Sequence, residues 1–412
     1  MIPFLVWYGH APAGAPQRTV EGLALVRRAV LSAQAQGFRT IVVAVRGSDV
    51  IPVRAALFRD RRIQADVTVL EASARPLAAV EHVLPAEEAE VVVAYGDRVW
   101  VPAVLGELRA PLGEGVDARV LVGRLAGGEA PSGLLRIRAG ALERLQLVHD
   151  LGPADVERAV GNAGRVAQRA VGLRWRRVQR PDDVRDAETL LLRALLKPAD
   201  GIVARNINRR ISTMFSRYLA RRAITPNMVS SVVLLLGLCS GPFASLGTYL
   251  GLALGGLCYY VSSVLDGCDG ELARLKYLSS PLGVWVDTIV DDLVGLSFLS
   301  GLYFGLSRWL HPWWLWVGVV VVGCYLLTIL PRYWLFVTKV GVGDHQKLAA
   351  DTRPKEAHGL ALAFLVLREN IFRIDFLTFS AMVTCCWPPV RFNVAASSRP
   401  PKPILFYNDV SR

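Results

Sequence analysis

The stretch from Asp266 to Asp291 reads DGCDGELARLKYLSSPLGVWVDTIVD, between apolar segments long enough to span a bilayer. Asp266 and Asp269 stand three residues apart, and Asp287 and Asp291 stand four apart, so each pair shares one face of a helix. Carboxylates inside a membrane segment are costly, and they mark function by default. Two helices carrying such faces could hold four carboxylates around one point, which predicts a divalent-metal site.

The composition favours a membrane protein with an additional soluble part. The chain has 412 residues, a hydrophobic fraction of 52% and a mean hydropathy of +0.35. Apolar residues are dense after Asn227 and ordinarily interspersed before it. The formal charge of +12 suits nucleic acid or an anionic membrane surface, and the long apolar runs favour the membrane. Since no zinc-finger spacing or aromatic-rich basic module is present, we expect no nucleic-acid partner.

Residues 1–150 alternate between strand-like and helix-like pieces. Apolar residues at helical spacing lie between the first two strand-like runs, and the strand-like runs are apolar on both faces. This alternation predicts an α/β doubly wound domain with a mostly parallel sheet. The fold class expected for the whole chain is therefore this domain followed by an all-α polytopic membrane helix bundle. The predicted strands are residues 2–7, 40–45, 65–70 and 90–95.

The later residues divide by composition into a connector, a basic helix, a membrane part and a tail. Residues 151–200 are charged and predicted to form a helical linker region, and 201–226 an amphipathic juxtamembrane helix on an anionic membrane surface. An alternative for this basic helix is packing on the soluble domain. Residues 227–388 form the predicted membrane-embedded domain, and 389–412 a polar, Pro-rich tail. The predicted spans are residues 227–246, 248–265, 282–306, 309–336 and a short fifth from 376.

The distribution of basic residues predicts an orientation in the membrane. The stretch 339–373 carries six lysines and arginines, so we place it in the cytoplasm. Counting spans backward puts the N-terminal domain in the cytoplasm as well, and the carboxylates at the cytoplasmic ends of the second and third spans. Water-soluble nucleotide and metal can reach that position.

The acid-bearing stretch also resembles a known signature. Its pattern, D-x2-D-G-x2-A-R-x8-G-x3-D-x3-D, is similar to that of the CDP-alcohol phosphotransferase family at every position and gap. The likeness extends over about residues 196–385, and the order of the domains is similar to the inositol-phosphate-handling branch. The matching residues are Asp266, Asp269, Gly270, Ala273, Arg274, Gly283, Asp287 and Asp291.

This resemblance implies a reaction and a division of roles. We expect Asp266, Asp269 and Asp287 to ligate two divalent ions, Mg²⁺ or Mn²⁺. The family implies that Asp291 ligates metal and acts as general base towards the acceptor hydroxyl. Asp292 lies outside the pattern, and we expect a supporting or structural role for it. The residues expected to bind the CDP moiety are Asp266, Gly270, Ala273, Arg274, Gly283 and Asn227, and those expected to hold an acceptor phosphate are Arg332, Lys339 and Arg373.

The N-terminal part resembles the sugar-phosphate nucleotidyltransferase family over roughly residues 1–150. The likeness lies in V-x-G-x-x-L-x-x-R-A-V-x-x-A-x-x-x-G-F from Val20 to Phe38, and in Asp97, where that family keeps a metal-binding aspartate. The loop GHAPAGAPQRT differs from that family's glycine-rich phosphate loop, because Pro12 and Pro16 each lack an N–H donor. We therefore expect a degenerate domain kept for folding, docking or regulation.

The function expected from these patterns is transfer of the phosphoalcohol moiety of a CDP-alcohol, of the CDP-diacylglycerol or CDP-inositol type, to a hydroxyl acceptor with release of CMP. One alternative is a cation transporter or channel that uses the acidic cluster, and another is a bifunctional enzyme with an active N-terminal cytidylyltransferase. The expected partners are the two substrates, the lipid bilayer and a second copy in a homodimer. The expected location is the cell membrane, with several spans and with the active site facing the cytoplasm.

Overall fold

The computed structural model describes residues 2–72, 90–125, 128–138, 165–172, 174–195, 207–335 and 337. Within these residues the first half is a mixed α/β unit, and the second half from residue 207 is entirely helical. The α/β unit contains β1 Phe4–Trp7, β2 Thr19–Val20, β3 Leu23–Ala24, α1 Leu25–Ala35, β4 Thr40–Val45, α2 Gly47–Phe58, β5 Asp66–Glu71, β6 Glu90–Tyr95, β7 Arg98–Trp100, α3 Pro102–Gly106, β8 Ala118–Leu125, β9 Gly128–Arg138, β10 Val166–Ala170, β11 Trp175–Arg177 and α4 Pro181–Ala194.

Seven of these strands form one sheet in the order β10-β8-β9-β6-β1-β4-β5. β1 pairs in parallel with β4 and β6, and β4 in parallel with β5, whereas β9 runs antiparallel to both β6 and β8. In the central register Phe4 lies opposite Ile41 on one side and Val92 on the other. The four predicted strands thus form a continuous parallel block of the sheet, in the order β6-β1-β4-β5.

Side chains from both faces of the sheet are buried, as the apolar strands predict. Phe4 and Val6 belong to one apolar cluster, together with α1 and α2 residues such as Val26 and Leu57. Leu5, between them in the strand, belongs to a second cluster on the opposite face. The predicted fold class, an α/β layer followed by a helical membrane bundle, is confirmed.

The region 151–200 differs from the helix predicted for it. Its described residues contain β10, which extends the main sheet by pairing in parallel with β8, and β11, which pairs antiparallel with β7. Only α4 is helical there. The sequence Val166–Ala170 lacks an apolar alternation and is mostly exposed, so its strand conformation comes from pairing with β8 rather than from its own pattern.

The second half contains five helices within the described residues. The three that begin the membrane part have readable starts, because a Thr or Ser caps each first turn and accepts a hydrogen bond from a backbone amide. Thr225, Thr248 and Ser280 accept from Met228, Gly251 and Gly283 respectively. The five helices are α5 Arg209–Ala220, α6 Pro226–Ser245, α7 Tyr249–Leu275, α8 Pro281–Trp309 and α9 Trp314–Leu335.

Three of the described helices, α6, α7 and α8, are long and apolar enough to cross a membrane. They match the first three predicted spans. The fourth predicted span, residues 309–336, contains helix α9, Trp314–Leu335. The predicted fifth span and the tail lie outside the described residues.

Helix α5 has two faces with different contacts. Ser212, Ser216 and Ala220 are buried, and the helix packs along α7, whereas Met214 and Phe215 are exposed beside basic side chains. The exposed face agrees with the predicted amphipathic helix. The buried face shows that the helix is also a packing element of the bundle.

Candidate active site and metal centre

Three of the four predicted carboxylates meet at the facing sides of α7 and α8. One carboxylate oxygen from each of Asp266, Asp269 and Asp287 lies within 4.8 Å of the other two. Asp269 is buried, and the other two are half-buried. The i, i+3 spacing places the first two on one face of α7, and helix packing brings the third to them from α8.

Asp291 lies one turn further along α8. Its carboxylate is close enough to Asp266 and to the hydroxyl of Tyr259 to interact with both electrostatically. The ring of Tyr259 stacks on Phe298 with centroids 4.4 Å apart, which holds it in place. The predicted fourth carboxylate therefore adjoins the cluster but stands apart from its three-oxygen core.

The residues of the cluster fit a divalent cation. All three donors are carboxylate oxygens, the hard ligands that Mg²⁺ and Mn²⁺ prefer. Within the described residues, Oδ1 of Asp266 is buried with no hydrogen-bond partner, although buried polar atoms normally have one. Like charges packed at this separation also repel unless a cation or a proton intervenes.

Two polar residues that the sequence patterns did not identify lie on the helices of this site: one contacts a carboxylate of the cluster, and the other joins α7 to α5. Ser230 of α6 donates a hydrogen bond of 2.5 Å to Oδ2 of Asp269. Glu271 of α7 is fully buried and accepts from Arg209 and Ser212 of α5, each at 2.9 Å. The available signal was a serine in an apolar span and a glutamate outside the signature, but neither reveals its partner without the packing of the helices.

The residues predicted to bind the CDP moiety lie on the acid-bearing part of α7 and in the first turns of α8 and α6. A Cβ on Gly270 would lie 3.4 Å from Nη1 of Arg274, so the glycine leaves the guanidinium room. Gly283 lies in the first turn of α8, and Ala273 is half-buried one turn after Gly270. Asn227 is exposed in the first turn of α6, one turn before Ser230.

The residues predicted to hold an acceptor phosphate lie outside the described side chains. Arg332 is part of α9, but its side chain is not among the described ones, and Lys339 and Arg373 lie outside the described residues.

Asp292 is buried and accepts a hydrogen bond of 3.2 Å from the hydroxyl of Tyr325 on α9. That contact ties two helices together and agrees with the structural role expected for Asp292.

A second candidate site, at the ends of β1 and β6 in the N-terminal domain, does not fit a metal-binding aspartate. Asp97 is fully buried, with His10 Nε2 at 3.0 Å and Arg177 Nε at 2.8 Å. Burial alone would raise the pKa of Asp97, but the adjacent His10, the hydrogen bond from Arg177 and the charge of Arg98 lower it to about 2. The charge that would attract a cation is already neutralised.

In the loop that precedes this site, a backbone amide that could face a phosphate is hydrogen-bonded to a side chain of the protein instead. The backbone amide of Gly14 points at the carboxylate of Asp49 on α2, 3.2 Å from Oδ1 and 3.3 Å from Oδ2. In a phosphate-binding loop such an amide faces the phosphate. A carboxylate at this position repels phosphate, which agrees with the degenerate domain expected from the two prolines.

Comparison with known proteins gives the following similarities. A sequence model of the CDP-alcohol phosphatidyltransferase family matches residues 223–387. A bifunctional IPC transferase and DIPP synthase of Rubrobacter xylanophilus is 32% identical in an alignment of 321 residues that covers 70% of this chain and 72% of that protein. A protein of the same name from Thermococcus kodakarensis is 40% identical over 152 residues, covering 37% of this chain and 34% of that protein.

These alignments differ in extent. The chain spans about a third or less of the length of three of the relatives that it matches. Among solved structures, the inositol-1-phosphate CTP transferase from T. maritima covers 46% of this chain with a TM-score of 0.38 and 12% identity, a level too low to assign a function. The similarity to the R. xylanophilus protein, in contrast, extends over both halves of the chain.

Proposed function

The chain belongs to the CDP-alcohol phosphatidyltransferase family, and we propose that it transfers the phosphoalcohol moiety of a CDP-alcohol to a hydroxyl acceptor, releasing CMP. The acceptor oxygen forms a bond to the phosphorus of the phosphoalcohol, and the bond from that phosphorus to the oxygen of CMP breaks. The observation that carries this proposal is the meeting of Asp266, Asp269 and Asp287 within 4.8 Å.

The three carboxylates would hold the divalent cations, two ions of Mg²⁺ or Mn²⁺. When bound, these cations supply charge neutralisation for the pyrophosphate and for the oxygen that leaves with CMP. Asp266 and Asp269 present their oxygens from α7, and Asp287 presents its oxygen from α8. The hydrogen bond from Ser230 orients Asp269, so that a rigid helix contact, rather than a loop, sets the direction of that ligand.

Asp291 is suited to accept the proton of the acceptor hydroxyl. It adjoins the cluster without belonging to its three-oxygen core, so its carboxylate can face the attacking oxygen. General-base catalysis of this kind contributes about 10²–10⁴-fold to a rate. The guanidinium of Arg274 beside Gly270 would donate to a phosphate oxygen, and the two glycines, Gly270 and Gly283, with the small side chain of Ala273 would leave space for cytidine.

The proposal is tested by a screen for CMP release. Purified protein in detergent is incubated with a panel of CDP-alcohols, including CDP-inositol and CDP-diacylglycerol, and a panel of hydroxyl acceptors. CMP should appear with at least one pair, only with Mg²⁺ or Mn²⁺, and should cease with a chelator. No CMP from any pair with either metal would contradict the proposal.

We expect Asp291→Asn to lower the turnover number by at least about 10²-fold while CDP-alcohol still binds, because an amide cannot take the acceptor proton. The measurement is CMP release at saturating substrate, with binding of the CDP-alcohol followed separately. Asp292→Asn is the matched control, since asparagine can still accept from Tyr325 and we expect its turnover to stay within a few-fold of the parent. Unimpaired turnover in Asp291→Asn would refute the base assignment.

A transporter or channel is the alternative from another functional class. The acids meet at the end of α7 and the start of α8, rather than along the length of a span. That placement supports an edge site for water-soluble ligands over a path across the bilayer. Ion flux in liposomes without CDP-alcohol would favour the transporter.

Contacts within the N-terminal domain at Asp97 and at the amide of Gly14 disfavour cytidylyl transfer by that domain. Asp97 is neutralised by Arg177 and Arg98, and the carboxylate of Asp49 accepts a hydrogen bond from the amide of Gly14. We expect no pyrophosphate release from CTP and inositol phosphate under conditions that give CMP release. Pyrophosphate formation that is lost in Asp97→Asn would restore the bifunctional alternative.

The proposed setting is the cell membrane, with several spans and with the site and the N-terminal domain in the cytoplasm. The three long apolar helices and the cytoplasmic assignment of the basic stretch support this arrangement. We also propose a homodimer and an acceptor phosphate held by Arg332, Lys339 and Arg373. Charge-removing substitutions at these three positions should raise the KM for the acceptor alone.

A further inference from the structure

The loop between α7 and α8 connects the two helices that carry the acids. α7 ends at Leu275 and α8 begins at Pro281, so only five residues lie between them. Asp266 and Asp269 stand on one side of this connection, and Asp287 on the other. Because the connection is short, the conformation of the loop sets how far one helix can slide or turn against the other.

The loop contains a backbone conformation that is unfavourable on its own. Tyr277 has a φ of +55°, the left-handed region that non-glycine residues rarely adopt. The amide of the next residue, Leu278, closes the turn by donating to the carbonyl of Ala273 at 2.8 Å. Such a conformation persists only where neighbouring groups hold it in place.

The neighbouring groups that hold it come from the N-terminal domain. The hydroxyl of Ser32 on α1 is hydrogen-bonded to the hydroxyl of Tyr277. The guanidinium of Arg28, also on α1, lies 6.0 Å from the centroid of the Tyr277 ring and donates to the carbonyl of Leu275 at 3.1 Å. Arg62 donates to the carbonyl of Lys276. Three consecutive residues, the last of α7 and the first two of the loop, are thus fixed from outside the membrane bundle.

Arg28 is specialised for this contact. It is buried, and its other Nη atom donates to the carbonyl of Val20 at 2.8 Å within its own domain. The guanidinium therefore links backbone carbonyls of both domains. Lys276 reaches the opposite way and donates to the carbonyls of Arg222 at 2.7 Å and Ile224 at 3.0 Å, which holds the loop to the turn before α6.

Simple docking of the two domains does not require these contacts. Docking is provided elsewhere, by the ion pair of Glu188 on α4 with Arg221 and by Gly22, where a Cβ would lie 2.1 Å from the carbonyl oxygen of Ala220. The contacts from Ser32, Arg28 and Arg62 instead reach the end of α7 and the start of the loop between the acid-bearing helices, including Tyr277 with its positive φ.

We propose that the N-terminal domain is a positioning element for the metal centre: through Ser32, Arg28 and Arg62 it clamps residues 275–277 and thereby fixes the register of Asp266 and Asp269 against Asp287. The clamp assigns a use to a domain whose own nucleotide site is occupied by protein groups. It rests on the proposed function only in taking these carboxylates as metal ligands.

The test measures Mn²⁺ binding directly, without turnover. Full-length protein in detergent is titrated with Mn²⁺, and free Mn²⁺ is followed by electron paramagnetic resonance for the parent, Ser32→Ala, Tyr277→Phe and the double variant. Each single variant removes the hydroxyl pair, and we expect about tenfold weaker Mn²⁺ binding, the lower end of the effect of supporting residues at metal sites. Because both changes break the same contact, the double variant should bind Mn²⁺ no more weakly than either single variant.

Arg28→Ala and Arg27→Ala form the matched pair on α1. Arg27 donates to the carbonyl of Ala56 inside its own domain, so its loss should leave Mn²⁺ affinity unchanged, whereas loss of Arg28 should weaken it at least tenfold. Thermal unfolding checks that each variant is folded. If Arg28→Ala does not fold, the Ser32 and Tyr277 variants still decide the matter, since they change only hydroxyl groups.

The outcomes separate this proposal from the proposed function. Weaker Mn²⁺ binding in the clamp variants supports the clamp even if no CDP-alcohol yields CMP. Parent-like Mn²⁺ affinity in folded Ser32→Ala and Tyr277→Phe overturns the clamp even if the parent releases CMP. A parent that binds no Mn²⁺ overturns it as well, and so do additive losses in the double variant.

Discussion

At the residue scale, Ser230 shows how a single hydroxyl group can orient a carboxylate of the metal site. Ser230 lies in an apolar span. Its hydroxyl donates a hydrogen bond of 2.5 Å to Asp269 on the neighbouring helix. Hydrogen bonds to charged groups are worth about 1.5–3 kcal/mol, more than those between neutral groups. The bond also selects which lone pairs of Asp269 remain for a cation.

We expect Ser230→Ala to weaken divalent-metal affinity about 10- to 100-fold, the usual effect of removing a group that orients a ligand. Ser231→Ala is the matched control, because Ser231 is exposed and donates to the carbonyl of Asn227 within its own helix. The measurement is the concentration of Mn²⁺ that gives half-maximal CMP release. Equal metal requirements in the two variants would remove Ser230 from the site.

At the scale of elements, glycines set the distance between α6 and α8. A Cβ on Gly301 would lie 2.1 Å from the carbonyl oxygen of Gly241, and a Cβ on Gly305 would lie 2.0 Å from that of Ala244. Small residues at such crossings let helix backbones approach closely inside a membrane. α6 carries Ser230 and α8 carries Asp287, so this crossing also positions two parts of the site.

We expect Gly301→Ala to destabilise the bundle by about 1–3 kcal/mol, the range for overpacking a tight contact, and to lower activity with it. Gly323→Ala on α9 is the control, because in the described part of the chain no neighbouring atom lies within 4 Å of the added methyl group. Thermal unfolding in detergent measures the effect. A Gly301→Ala protein as stable as the Gly323→Ala protein would show that the crossing can relax.

At the scale of the whole molecule, the two halves meet around a buried pair of carboxylates. Glu21, in the turn between β2 and β3, is fully buried, and its amide donates to Glu188 of α4 at 3.4 Å. Burial and then the charge of Glu188 raise the pKa of Glu21 from 4.5 to about 7, against the opposing charges of Arg217, Arg28 and Arg221. Folding therefore favours the protonated form.

This pKa predicts that stability falls as the pH rises from about 4.5 to about 7. In that window the folded protein binds more protons than the unfolded chain, so raising the pH costs up to roughly 3 kcal/mol, and the cost is complete above pH 7. Glu21→Gln should unfold at a higher temperature than the parent above pH 7, and the difference should vanish near pH 4.5.

Thermal unfolding in detergent between pH 4.5 and 9 measures this difference. Glu71→Gln serves as the control, because it removes the charge of a carboxylate that is exposed rather than buried. A Glu21→Gln protein whose stability follows the parent at every pH would mean that Glu21 is not protonated on folding.

Much of the site was predictable because helix geometry acts over short distances. The spacing of Asp266 and Asp269 places them on one face before any packing is known, and Ser280-Pro281 marks the start of the next helix. The strand at Val166–Ala170 was not predictable, because pairing with a distant strand determines it. Arg28 counted in the sequence only toward a family likeness, whereas its contact with Leu275 joins residues 247 positions apart.

The sequence by itself determined the parallel strands, the starts of the membrane helices and the set of acids, because each follows from local periodicity, capping chemistry or a family signature. Only the tertiary structure decided that Ser230 supports Asp269, that Asp97 is neutralised and that Ser32 meets Tyr277. Those contacts join separate elements, and no local pattern encodes which surfaces meet. Packing brings them together, since the free energy of burying apolar helix and sheet faces depends on the whole arrangement.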